Sequence, residues 1–169
     1  LRVYGSPSTS HIETASDGLV DLLALRHGGR AIAWNDAHFG AAANLLLPGR
    51  GINMGEGWET RRRREPGHDW CILALGLPGK VVRVEVDTAH FKGNFPDRCS
   101  IQAAWVPELD ESALPAQSQF WQTLLPESRL TADSIHTFTL EDSGPISHIR
   151  FNLHPDGGVS RLRLWGYPA

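Results

Sequence analysis

The stretch Val81-Val82-Arg83-Val84-Glu85-Val86-Asp87-Thr88 alternates between apolar and charged side chains. Extended backbone turns successive side chains to opposite faces, so Val82, Val84 and Val86 share one face and Arg83, Glu85 and Asp87 the other. This is the pattern of a strand with one buried face. Similar alternation recurs on both sides of it. Cys99, Ile101, Ala103 and Trp105 fall on one side of a second segment, and Ile149, Phe151 and Leu153 lie opposite His148, Arg150 and Asn152 in a third. The turn signal Pro155-Asp156-Gly157-Gly158 then leads to Leu162 and Leu164, which alternate with Arg161, Arg163 and Trp165. Residues 70–77 form a more continuous apolar run, suited to a strand buried on both faces, and residues 136–140 form another short strand. Many short strands, with one or two small helices, predict an all-β sandwich.

The composition agrees with that reading. The chain has 169 residues, 41% hydrophobic and 21% charged, enough for one domain with a sizeable core and unlike a disordered chain. Sixteen Lys and Arg against 19 Asp and Glu give a net charge of −3, which argues against nucleic-acid binding. No apolar run approaches the ~20 residues of a membrane-spanning helix. Cys71 and Cys99 are too few for a disulfide scaffold, so a cytoplasmic location with reduced thiols is expected. Ser16 as N-cap, Leu19, Leu22 and Leu23 as an apolar stripe, and Gly28 as a terminator predict a short helix from Asp17 to Leu25. The opening Leu1-Arg2-Val3-Tyr4-Gly5 echoes Leu162-Arg163-Leu164-Trp165-Gly166. The echo suggests a tandem array, with residues 1–5 the last strand of a preceding repeat, 6–16 a linker and 17–169 one whole repeat.

Chemical groups concentrate in the loops. Gly49, Gly51, Gly55 and Gly57 match neither the dinucleotide nor the Gly-Lys-Ser/Thr phosphate motif. Residues 61–64 are four consecutive arginines. On extended backbone Arg62 and Arg64 point one way with Thr60, and Arg61 and Arg63 the other way with Glu59. Unpaired guanidinium groups are costly to bury, so at least one face is expected to meet internal carboxylates or an anionic ligand. His68-Asp69 and His90-Phe91-Lys92-Gly93-Asn94 offer acid–base and hydrogen-bonding groups, with His90, Lys92 and Asn94 on one face if the segment is extended. The eight histidines show no compact ligand spacing, so no metal residues are assigned, although a divalent ion stays open. The six tryptophans are read as packing anchors.

Five ordered stretches together resemble the allantoicase family. They are Pro48-Gly49-Arg50-Gly51, Gly57-Trp58-Glu59-Thr60-Arg61-Arg62-Arg63, Pro66-Gly67-His68-Asp69-Trp70, Glu85 through Pro96, and Pro155-Asp156-Gly157-Gly158-Val159. The resemblance runs over residues 17–166. It implies a jelly-roll sandwich resembling galactose-binding domains, one of two homologous repeats in a chain that forms homo-oligomers. It also implies hydrolysis of allantoate to ureidoglycolate and urea in purine degradation. The family pattern is more acidic around Trp34-Asn35-Asp36 and has Asp at the place of Asn53, which would make this the less active copy if those carboxylates take part.

On this reading Arg62 or Arg64 clamps the substrate carboxylate, and Asn94, Glu59 and Asp87, with Lys92 beside them, bind the ureido groups. His90 or His68 protonates the departing urea, and Asp69 or Glu59 orients the imidazole or activates water. A second reading, from another class, is a non-catalytic jelly-roll repeat serving ligand binding or oligomerisation.

Overall fold

The computed structural model describes residues 4–5 and 12–169. Ten strands follow one another: β1 (Val20–Asp21), β2 (Arg30–Trp34), β3 (Trp58–Glu59), β4 (Asp69–Asp87), β5 (Arg98–Ala104), β6 (Gln122–Arg129), β7 (Ile135–Thr139), β8 (Pro145–His154), β9 (Gly158–Val159) and β10 (Arg161–Pro168). One α-helical turn, α1 (Leu114–Gln117), and five 3-10 turns complete the elements of the described residues. The expected all-β sandwich is what the chain forms.

The architecture turns on β4, which is 19 residues long and serves two layers. Its first part pairs with β2 and β8, and its last part with β10 and β7. The layers are therefore β2-β4-β8-β5-β6 and β1-β10-β4-β7. Between them the pairing with β8 jumps from Ala74–His148 to Gly79–Ile146, and the strand crosses over through Leu75-Gly76-Leu77-Pro78-Gly79. Glycine is needed at this crossing, because a Cβ on Gly76 would lie 2.4 Å from the His27 carbonyl oxygen and one on Gly79 2.2 Å from that of Tyr167. Cys71, Leu73 and Leu75 from the first part meet Val81, Val84 and Val86 from the second in one core, with Phe151, Leu162 and Leu164.

This crossing also brings both ends of β4 to one rim. The amide of Asp69 donates to the Pro155 carbonyl (2.9 Å), and that of Ser160 donates to the Asp87 carbonyl (2.7 Å). A straight strand of this length would hold its ends about 60 Å apart, yet Pro155 and Ser160 are five residues apart in the chain.

Four details differ from the sequence reading. Val82 is half-buried and Val81 takes its place in the core, because the β10 partner of Arg83 is Trp165 and that of Val81 is Gly166, leaving Val82 as an extra residue in a bulge. The expected helix at residues 17–25 is instead a turn at Asp17-Gly18, strand β1 and a 3-10 turn at Leu25–His27. There the Asp21 carboxylate accepts from the amides of Leu23 (3.2 Å) and Leu164 (3.1 Å), so the backbone is satisfied by the sheet. Gly28 does end the 3-10 turn, at φ 97°. The far side of β8 is also buried: Trp121 lies against His148, Ser118 and Trp70 against Arg150, and Ser100 and Gln102 against Asn152. Residues 88–97 form no strand, and His90 has φ 72°, so His90, Lys92 and Asn94 do not line one extended face. Of the terminal echo, residues 162–166 belong to β10; residues 1–3, like 6–11 of the expected linker, lie outside the described residues.

Candidate functional site

The rim where β4 begins and ends gathers the loops that the sequence marks as chemically dense. Two arginines of β10, Arg161 buried and Arg163 partly buried, shape it. Arg161 donates to the carbonyls of Gly49 (3.1 Å) and Glu56 (2.6 Å), and Arg163 to those of Leu47 (2.6 Å) and Gly49 (3.0 Å), so the 44–56 loop is fastened to the sheet through its own backbone. Burial pushes both guanidinium groups below their ordinary range. Phe91, fully buried, holds the 87–96 loop against β9, where a Cβ on Gly158 would stand 2.0 Å from its ring.

Alternation in the arginine run survives although only Trp58–Glu59 is strand. Arg63 donates to Asp69 Oδ1 (2.8 Å) and Arg61 lies 3.4 Å from Asp36 Oδ1, so one face meets internal carboxylates as the alternation requires. Arg62 and Arg64 are exposed and have no carboxylate partner among the described residues. All four, with Asn35, Asp36, Glu65 and Asp69, line an open pocket of about 500 Å³. Asp69 is 1% exposed; its Oδ1 also accepts from Asn35 (2.9 Å), while its buried Oδ2 has no partner.

The other candidate residues fall into separate small groups. Asn94 donates to Glu59, joining the 87–96 loop to β3. Asp87 is saturated: Arg50 reaches both oxygens (2.8 and 3.0 Å) and the Ala89 amide donates to Oδ1 (2.9 Å). It therefore positions Arg50, whose side chain is half exposed. His90 donates from Nε2 to the Gly51 carbonyl (2.5 Å), and its amide donates to Asp133 (2.8 Å). Lys92 is exposed. His68 is oriented by neither Asp69 nor Glu59: its Nε2 lies 3.0 Å from Asn152 Oδ1, and its ring stacks on His154 at 4.7 Å between centroids. No direct contact links the His68–Asp69 group to His90 or Asp87 among the described residues.

Sequence reasoning passed over Asn35, Arg150, Asn152 and His154. Each reads as an outward residue of an alternating strand or as a turn; in the fold Ser118 meets Arg150, Asn152 is buried among His68, Ser100 and Gln102, and His154 is half-buried against His68. The one available signal was the density of polar types on a single face, with Arg150, Asn152 and His154 in alternation. Burial raises the thiol of Cys99 to about 12 and that of Cys71 well above its ordinary value, so neither is a nucleophile here. Among the described residues no group of three or more His, Cys, Asp or Glu is placed to hold a metal ion, and no helix is long and apolar enough to cross a membrane.

The chain is a jelly-roll sandwich, similar in fold to galactose-binding modules. A family 32 carbohydrate-binding module of Clostridium perfringens, solved in complex with galactose, has this fold at a TM-score of 0.57 and 14% identity, over 82% of this chain and 93% of that one. Within that class the chain belongs to the allantoicase family, since the model of the allantoicase repeat matches residues 20–169. A probable allantoicase of Burkholderia pseudomallei is 59% identical over 98% of this chain and 50% of its own length. The crystal structure of allantoicase from Saccharomyces cerevisiae superposes with a TM-score of 0.78 at 37% identity, over 91% of this chain and 45% of that one. The chain thus spans about half the length of the curated relatives it matches.

Proposed function

We propose that this repeat belongs to an allantoate amidinohydrolase, which hydrolyses allantoate to ureidoglycolate and urea in purine degradation. The observation that carries the proposal is the basic pocket, in which Arg61 and Arg63 are neutralised internally while Arg62 and Arg64 keep free charge at the mouth. Family membership supplies the substrate class. Allantoate carries one carboxylate and two ureido groups on the same carbon, and a planar guanidinium binds a carboxylate through two parallel hydrogen bonds.

In this reading Arg62 or Arg64 clamps the carboxylate, and the ureido groups meet Glu59, Asn94 and Lys92, with Asp87 acting through the Arg50 it holds. Water adds to the central carbon as its bond to one ureido nitrogen breaks. That nitrogen must receive a proton, because the urea anion is a poor leaving group, and His68 or His90 delivers it. Asp69 or Glu59 takes up the proton of the attacking water. The working protein is cytoplasmic, pairs this repeat with a homologous one, and forms a homo-oligomer.

The test is urea release from allantoate by this 169-residue chain, with and without EDTA. Release under both conditions supports a complete site in one repeat. Release lost on chelation and restored by a divalent ion adds a metal to the reading. No release in either condition assigns the chemistry to the junction with the second repeat, or this repeat to the non-catalytic class.

A further inference from the structure

The polar layer on the far side of β8 has more order than packing alone requires. Gln102 donates from Nε2 to the carbonyls of Gln119 (3.2 Å) and Trp121 (3.4 Å), so its amide has one orientation and its Oε1 faces inward. That oxygen accepts from Asn152 Nδ2 (3.3 Å), which also donates to Ser100 Oγ (3.2 Å). Asn152 is fixed from its other end as well. Arg150 Nε, which can only donate, lies 3.0 Å from Oδ1, and Arg150 itself is held by Ser118 Oγ (2.9 Å) and by Trp70, whose ring centroid is 4.4 Å away.

Two consequences follow for the histidines. The second lone pair of Asn152 Oδ1 faces His68 Nε2 at 3.0 Å, and a carbonyl oxygen can only accept, so His68 carries its hydrogen on Nε2. Ser100 Oγ accepts the Asn152 hydrogen on one lone pair and has its own hydrogen to offer His154 Nε2 (2.8 Å), the arrangement in which that nitrogen is the acceptor. The His154 hydrogen is then on Nδ1, the nitrogen 4.0 Å from Glu127.

We propose that Asn152 is a positioning residue for His68, holding the two stacked imidazoles in opposite tautomers so that protons enter and leave His68 only at Nδ1. The functional weight of this assignment rests on His68 being part of the site proposed above. The charged and titratable groups around the pair are Arg150 and His154 on β8, Arg98 on β5, Glu127 on β6, and the Arg63–Asp69 pair beside His68.

The test is a two-bond proton–nitrogen NMR correlation on the chain with labelled histidines, recorded above the histidine titration range. The expected wild-type spectrum has His68 as the Nε2–H form and His154 as the Nδ1–H form. Asn152→Asp cannot donate to Ser100, so the serine hydroxyl turns to the new carboxylate and His154 reverts to Nε2–H. The same carboxylate should raise the His68 titration midpoint by about one pH unit or more. Ser100→Ala, a milder change, should revert His154 alone. A wild-type His154 in the Nε2–H form, or a His154 tautomer unmoved by both variants, overturns the assignment of the network. An unmoved His68 midpoint in Asn152→Asp overturns the positioning role. None of these readouts uses substrate, so their failure is distinct from an absence of urea release.

Discussion

Arg63 and Asp69, six residues apart, close a 2.8 Å ion pair over a carboxylate that is almost wholly withdrawn from water. The pair fastens the 60–68 segment onto the first residue of β4, and Asn35 supports it from the other side. Removing the carboxylate leaves a guanidinium with one fifth of its side-chain surface exposed and no counter-charge. Asp69→Ala should therefore lower unfolding stability by about 3 kcal/mol, read as a shifted denaturant midpoint at constant slope. A midpoint equal to wild type would show that the pair is not structural.

Arg62 and Arg64 should behave in the opposite way. Both are exposed without a carboxylate partner among the described residues, so the double change Arg62→Gln and Arg64→Gln should alter stability by no more than about 0.5 kcal/mol. In the allantoate assay the same variant should raise KM about tenfold or more, the loss of one charge-assisted contact. An unchanged KM would remove these arginines from substrate binding.

His90 needs a replacement that tolerates its backbone. Its φ of 72° lies in the left-handed region, where Asn is favoured over Ala. His90→Asn should keep the loop and remove only the imidazole. If His90 is the proton donor, urea release falls by at least about 10²-fold; a full-rate variant leaves His68 as the donor.

The pH dependence of stability follows from His148 and His154. Burial holds both imidazoles below their ordinary value of 6.5, helped for His148 by Arg30 and for His154 by His68. As pH falls through 6.5, the unfolded chain takes up protons that the folded chain refuses, so stability is full above that range and declines below it. Denaturant midpoints should drop between about pH 7.5 and about pH 5.5, and His148→Gln should flatten part of that drop. Midpoints that rise on acidification would contradict these shifts.

Much of this was legible in the sequence because period-two alternation reports which side chains share a face. It identified the strands around Val84, Ile101, Phe151 and Leu164, and it separated Arg61 and Arg63 from Arg62 and Arg64. Alternation says nothing of what lies against the second face. Arg150 and Asn152 therefore read as solvent-facing, when Ser118 meets the first and His68, Ser100 and Gln102 surround the second, and the orienting partner of His68 could not be found. Local strain was equally silent: nothing in His90-Phe91-Lys92 announces a left-handed residue, which is imposed by the Asp133 carboxylate and the Gly51 carbonyl. The β-bulge at Val82 is set by the register of β10, a relation between segments about eighty residues apart.

The crossover of β4 makes sequence distance act as a ruler. His68-Asp69 and Asp87-His90 are carried by the two ends of one strand, and what sets their separation is the number of residues spent before and after the crossing at 75–79. One residue added there would turn every later side chain of the strand to the wrong face. Such an insertion would also shift one half of the rim against the other. The interval from Asp69 to Asp87 is thereby tied to the spacing of the two halves of the rim, and an added residue is tolerated only where a bulge absorbs it, as at Val82.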